Sequence, residues 1–241
     1  MKIKMNDKEI SKQQLDDWRL QRTKKVFKVF KTKPDHQMNI DEMTKELTEV
    51  KLQYSYESMY KLLKTKLKLS TFAMKVAATL STKRKFAITE ISIDGTSASQ
   101  ISQGIDSLML EKSLENDRVN LAACPDHYVL RPTSKNELEV IETCGNAPLP
   151  FQFFIVYGDE TGVQTKRDVS YAYQSAGIAR LKDGTLMGGV RHKFKDTENG
   201  FEAKLVVEFP SLCPTFIVKA HQMHLASEFS YWFHWIKDHQ K

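Results

Sequence analysis

The sequence predicts an α+β protein, with a helical N-terminal half followed by an antiparallel sheet that a long C-terminal helix closes. Three observations lead there. In the first half, apolar residues recur mainly at helical spacing. Between residues 151 and 209 they fall into short runs separated by turn signals, Asp183-Gly184 and Asn199-Gly200 above all. From Phe216 to His239, Ile217, Leu225, Phe229, Trp232, Phe233 and Ile236 return to a helical period.

Taken in order, Met1 to Lys12 is charged and aperiodic and reads as a loose arm. Gln13 to Lys33 is a helix with Leu15, Trp18, Val26, Val29 and Phe30 inward, ended by Pro34. Asn39 caps a second helix and Ser55 a third, which buries Met59, Leu62, Leu63 and Leu67 and exposes Lys61, Lys64, Lys66 and Lys68. Ser70 to Leu80 reads as a further helix, burying Phe72, Val76, Ala77 and Leu80. Asp94-Gly95 is a turn, after which Thr96 or Ser97 caps a helix with Ile101, Ile105, Leu108 and Met109 inward. Val119, Leu121, Tyr128 and Leu130 read as two short strands around a loop, and Lys135 to Glu142 as a short helix or strand. Gly145 to Pro150 is a linker by composition. Strands are expected at 151–157, 169–181, 185–194 and 201–209. The expected division is a basic helical arm or first DNA-contacting module over 1–68, a second unit over 70–144, and an α+β effector-binding or dimerisation domain over 150–241.

At Ala87 to Arg131 the chain resembles a winged helix-turn-helix domain of the MarR-like or replication-initiator-like kind, over about residues 70–131. The carriers are the Asp94-Gly95 turn, the capped amphipathic helix after it and the polar tip Glu115-Asn116-Asp117-Arg118. The resemblance implies that the helix after the turn reads base edges through Ser97, Ser99, Gln100, Gln103 and Ser107, and that Arg118 reaches the adjacent groove. Asp106 lies on the same polar face. Lys61 and Lys64, with Lys83, Arg84 and Lys85, are the expected phosphate contacts.

Charge points the same way. Of a formal net charge of +6, residues 1–90 carry about +10 and the remainder about −4. A polyanion is the natural partner of such a half. The expectation is therefore a sequence-specific, double-stranded-DNA-binding transcriptional regulator, with a plasmid or phage replication initiator as the alternative. Its C-terminal part would bind a small-molecule effector or a second subunit in a homodimer. No apolar run marks a signal peptide or a membrane span, and three widely spaced cysteines form neither a disulfide framework nor a zinc motif, so a cytoplasmic setting is expected.

Several chemistry-bearing patterns also have an ordinary packing explanation. His221, His224 and Glu228 share one helix face and could, with His192, bind a metal. Histidines beside aromatics are usually structural, so neither a metal nor a cofactor is expected. Asp159, Glu202 and Lys204 suggest a metal-dependent nuclease as an alternative, though Glu-x-Lys on a strand ordinarily marks a solvated face. Cys124-Pro125-Asp126-His127 offers a thiol and a base, but adjacent residues rarely meet that way.

Overall fold

The computed structural model describes residues 1–35 and 37–239. Strands β1 (Lys2–Met5) and β2 (Lys8–Glu9) precede three helices, α1 (Lys12–Val29), α2 (Ile40–Leu52) and α3 (Tyr56–Thr79). Strand β3 (Arg84–Asp94) leads to helices α4 (Ala98–Leu110) and α5 (Leu114–Ala123). Six strands follow, β4 (His127–Ser134), β5 (Glu137–Glu142), β6 (Phe151–Tyr157), β7 (Tyr173–Arg180), β8 (Leu186–Asp196) and β9 (Gly200–Pro210), and helix α6 (Thr215–His239) is the last described element. The strands form one sheet in the order β2-β1-β3-β9-β8-β7-β6-β5-β4, antiparallel throughout. The α+β class and the sheet with its C-terminal helix are as expected. The sheet is larger, and it recruits strands from the half expected to be helical.

Several elements depart from the sequence reading. Met1 to Lys12 is not a loose arm: Ile3 and Met5 alternate inward, and β1 pairs with β3. No helix breaks at Ser70; α3 runs on to Thr79, leaving Phe72 and Leu80 exposed where burial was expected. The piece before Asp94-Gly95 is strand β3, whose alternating burial seats Ala87, Ile91 and Ile93 in the core. Where the winged helix-turn-helix expected at Ala87 to Arg131 would begin, the chain is therefore strand, turn and helix. Nor do Val119 and Leu121 begin a wing. Ser113 caps α5 by accepting from the Asn116 amide, and Glu115 and Asp117 in its first turn suit the positive end of the helix dipole.

The segment 145–150 joins neighbouring strands, because β5 and β6 pair over six residues from Glu137↔Val156 to Glu142↔Phe151. The sheet thus runs through the expected boundary. Gly145 adopts a φ of +53°, and a Cβ there would come within 2.7 Å of the His221 backbone nitrogen. Glycine lets this loop lie directly against α6.

Two apolar clusters flank β4 and β5. The larger joins β3, α4, β5 to β9 and α6, with Ile101, Leu138, Phe194, Phe201 and Phe233 among its members. The smaller joins α1, α2 and α3 to Tyr128, Val129 and Ile141. Both faces of β5 are therefore covered: Leu138, Val140 and, by alternation, Glu142 look toward α6, while Ile141 looks toward the helical arm. Helix α6 is buried almost all round from His221 to Ser230, including its histidines and Glu228. Polar groups in such a place must be satisfied by one another or by a ligand.

Candidate metal centre

The sheet and α6 bring four ionisable side chains to one buried point. A register shift between His127 and Val129 sets His127 directly opposite Glu142 across the β4–β5 ladder. An irregularity of this kind re-aims a side chain. From the helix, His224 and Glu228 project one turn apart. His127 and His224 are fully buried, and Glu142 and Glu228 nearly so.

Each imidazole is held in a defined orientation. His127 Nδ1 lies 2.7 Å from the Asn120 carbonyl oxygen, which can only accept, so Nδ1 carries the proton. Its Nε2 then faces the centre with a free lone pair when the ring is neutral, the arrangement that backbone carbonyls impose on metal-ligating histidines. His224 turns Nδ1 to Cys124 Sγ at 3.6 Å and Nε2 to the centre. Five of the six edges among the ligand atoms are close to tetrahedral spacing. Nε2 of His127 is 3.1 Å from Nε2 of His224, 3.0 Å from Glu228 Oε2 and 3.8 Å from Glu142 Oε2. Nε2 of His224 is 3.4 Å from Glu142 Oε2 and 3.5 Å from Glu228 Oε2. A tetrahedral ion with nitrogen and oxygen ligands at about 2.0–2.1 Å requires edges of roughly 3.3 Å.

Charge balance favours a cation. Burial alone would raise both carboxylates, but His224 reverses this for each, aided by His221 and His127 at Glu142 and by His127 at Glu228, and holds both below the ordinary carboxylate range. Burial likewise opposes the His224 imidazolium, yet Cys124, Glu142 and Glu228 keep its proton well above the usual histidine range. The two carboxylates thus stay ionised and keep a proton on His224, the proton that a divalent ion would displace.

Beside the cluster lies an apolar chamber of about 90 Å³. That is room for several waters or one small molecule. Leu130, Val140, Phe151, Phe153 and Phe229 are among its apolar lining, and Glu142, Cys144, His192, His221 and Glu228, with Asp106 and Glu208, among its polar lining. Burial pushes His192 and His221 down to about 4, so both rings present neutral nitrogens there. Nδ1 of each is buried without a hydrogen-bond partner.

The DNA-directed residues lie elsewhere. Ser97 caps α4 in a reciprocal box with Gln100, and Gln103 donates to Ser99 along the outer face, which Ser107 partly joins, while Asp106 on the same helix also borders the chamber. Arg118, placed on α5 rather than a wing, pairs with Glu49 of α2. Lys61 and Lys64 are exposed on α3, and Lys83 is exposed beside β3. Lys85 donates to the Cys213 carbonyl at 2.8 Å, and Arg84 is half-buried. The nuclease residues make separate contacts: Asp159 accepts from Thr161, Glu202 from Tyr171 and Lys195, and Lys204 pairs with Glu90.

Of the weighed metal residues, His224 and Glu228 join the centre, His221 stands next to it, and His192 lines the chamber. His127 and Glu142 were not foreseen as ligands. The local signals were Glu142 at the third position of an inward face after Leu138 and Val140, and His127 as a base beside Cys124; spacing ties neither to α6.

No protein-family model matches this chain, and no curated protein matches it. Among solved structures, protein Ms6760 from Mycobacterium smegmatis is similar over 64% of this chain and 91% of its own, at 12% identity and a TM-score of 0.34. At that level nothing is transferred to this chain. Among the described residues, no helix is long and apolar enough to cross a membrane.

Proposed function

We propose that this chain is a divalent-metal protein. Its ion is held by His127, Glu142, His224 and Glu228, beside a chamber for a small, largely apolar molecule. The observation that carries the reading is the set of five edges of 3.0–3.8 Å among four buried ligand atoms, with the His127 tautomer fixed by Asn120. Two imidazoles and two carboxylates suit zinc and neighbouring first-row ions better than calcium or magnesium. Metal analysis of purified protein after equilibration with Zn²⁺ and removal of the excess tests this. At least one ion per chain is expected, with loss from the four-ligand position in His127→Ala and Glu228→Gln. Wild-type protein that retains no ion overturns it.

A second reading is duplex-DNA binding by a transcriptional regulator or replication initiator. Its support is the exposed lysines of α3 and the exposed polar face of α4. On that reading affinity falls steeply with salt, and Lys61→Ala and Lys64→Ala each lower the log–log slope by about 1. A flat salt dependence in the intact protein removes it.

A further inference from the structure

We propose that a second divalent ion of the zinc type binds between Glu142, Cys144 and His221, with Glu142 bridging the two ions, and that this second ion is the one facing the chamber. The inference rests on the four-ligand reading above, because the two sites share Glu142.

The carboxylate of Glu142 already serves two directions. Its Oε2 faces the His127–His224 pair, while its Oε1 lies 3.0 Å from Cys144 Sγ. Ligand atoms of Glu142, Cys144 and His221 lie within 4.8 Å of one another. His221 stands one turn before His224 on α6, and the two rings stack with centroids 4.8 Å apart. One ring thus serves each position. An independent sign comes from His221 itself, 4% exposed with Nδ1 lacking any partner. Buried imidazole nitrogens are normally satisfied, so an orphan in the wall of a chamber marks a missing ligand.

The two positions differ in access. Of the four first-site ligands only Glu142 and Glu228 line the chamber, whereas all three second-site ligands, Glu142, Cys144 and His221, do. Four protein ligands close the first site, in the manner of structural zinc. Three leave the second with an open position, in the manner of catalytic zinc. That position would take water or a polar atom of a small apolar molecule. On binding, the Cys144 thiol gives its proton to solvent and the thiolate ligates the ion, so one proton leaves as one metal–sulfur bond forms.

Metal-free full-length protein titrated with Co²⁺ tests the proposal, because a cobalt–thiolate bond adds a near-ultraviolet charge-transfer band that nitrogen and oxygen ligands do not. We expect two ions per chain and a band that grows with the second equivalent. Cys144→Ser should abolish the band and reduce the content to one ion. His221→Gln should also reduce the content to one, giving an independent result if Cys144→Ser does not fold. One ion with no thiolate band overturns the second site and leaves the first standing. A band lost in Cys124→Ser but kept in Cys144→Ser moves the thiolate to the other side of His224 and overturns the proposal. Binding of no ion overturns both sites.

Discussion

Asp126 and His127 are neighbours in the chain, yet they enter two buried polar clusters resolved in opposite ways. Asp126 turns toward α1, where Arg22 donates to both its oxygens at 2.7 and 2.6 Å, a two-pronged match of one cation to one anion. Nearby, the ammonium of Lys51 donates to the carbonyls of Leu121 and Cys124 at 3.2 and 3.4 Å. These groups find partners within the protein. His127 turns toward α6, where two carboxylates and two imidazole lone-pair positions converge. That cluster has more acceptors than donors and is completed only by protons or a cation. Burial and polarity are alike on the two sides; the donor count distinguishes a structural network from a site.

The largest expected effect breaks the self-contained side. Asp126→Ala leaves the Arg22 guanidinium buried without its partner, which should cost roughly 3–5 kcal/mol. The loss should be the same in chelator and in Zn²⁺, as measured by urea unfolding. A loss that Zn²⁺ reverses would merge the two clusters into one and defeat the contrast.

The next effect belongs to the other side. At free Zn²⁺ about 100 times its dissociation constant, wild-type protein should gain about 2.7 kcal/mol over protein in chelator. His127→Ala should lose that gain from the four-ligand site while retaining cooperative unfolding. An equal gain in the variant would show that the ion binds elsewhere.

A third measurement uses pH to probe Lys51. Burial lowers its folded-state value to about 8 from 10.5, partly offset by Cys124 and Asp126. Between these values the unfolded chain binds more protons than the folded one, so this contribution to stability rises with pH. Relative to Lys51→Met, wild-type stability should therefore increase by roughly 2–3 kcal/mol from pH 7 to pH 10. A constant difference across that range would mean that water reaches the ammonium.

How much of this was legible depended on how local the signals were. Caps at Asn39, Ser55 and Ser97 and the hairpins at Asp183-Gly184 and Asn199-Gly200 depend on a few adjacent residues, and all formed. Strand β3 and helix α5 are settled by other means. Alternation in 84–94 matters because β9 pairs along its whole length, and α5 packs on α6 about a hundred residues away. Tertiary pairing overrode a local helix-turn-helix pattern. The centre divides similarly. His224 and Glu228 share a helix face, so their association could be read from spacing. His127 and Glu142 meet them only because β4 and β5 pair and α6 lies across them, which no local period encodes.

The smallest expected effect concerns an ion pair outside both clusters. Arg118 and Glu49 join α5 to α2 with side chains 53% and 46% exposed. Water solvates both charges in the folded and unfolded chain alike, so Arg118→Ala should change stability by no more than about 1 kcal/mol. The change should shrink further at high salt, which screens exposed charges but not buried ones. Asp126→Ala, by contrast, should be almost indifferent to salt. Unfolding both variants at low and high sodium chloride compares an ion pair that water already satisfies with one that only the protein can. If Arg118→Ala costs as much as Asp126→Ala at both salt concentrations, exposure is not what separates them, and the donor-count distinction drawn for the buried clusters would need another basis.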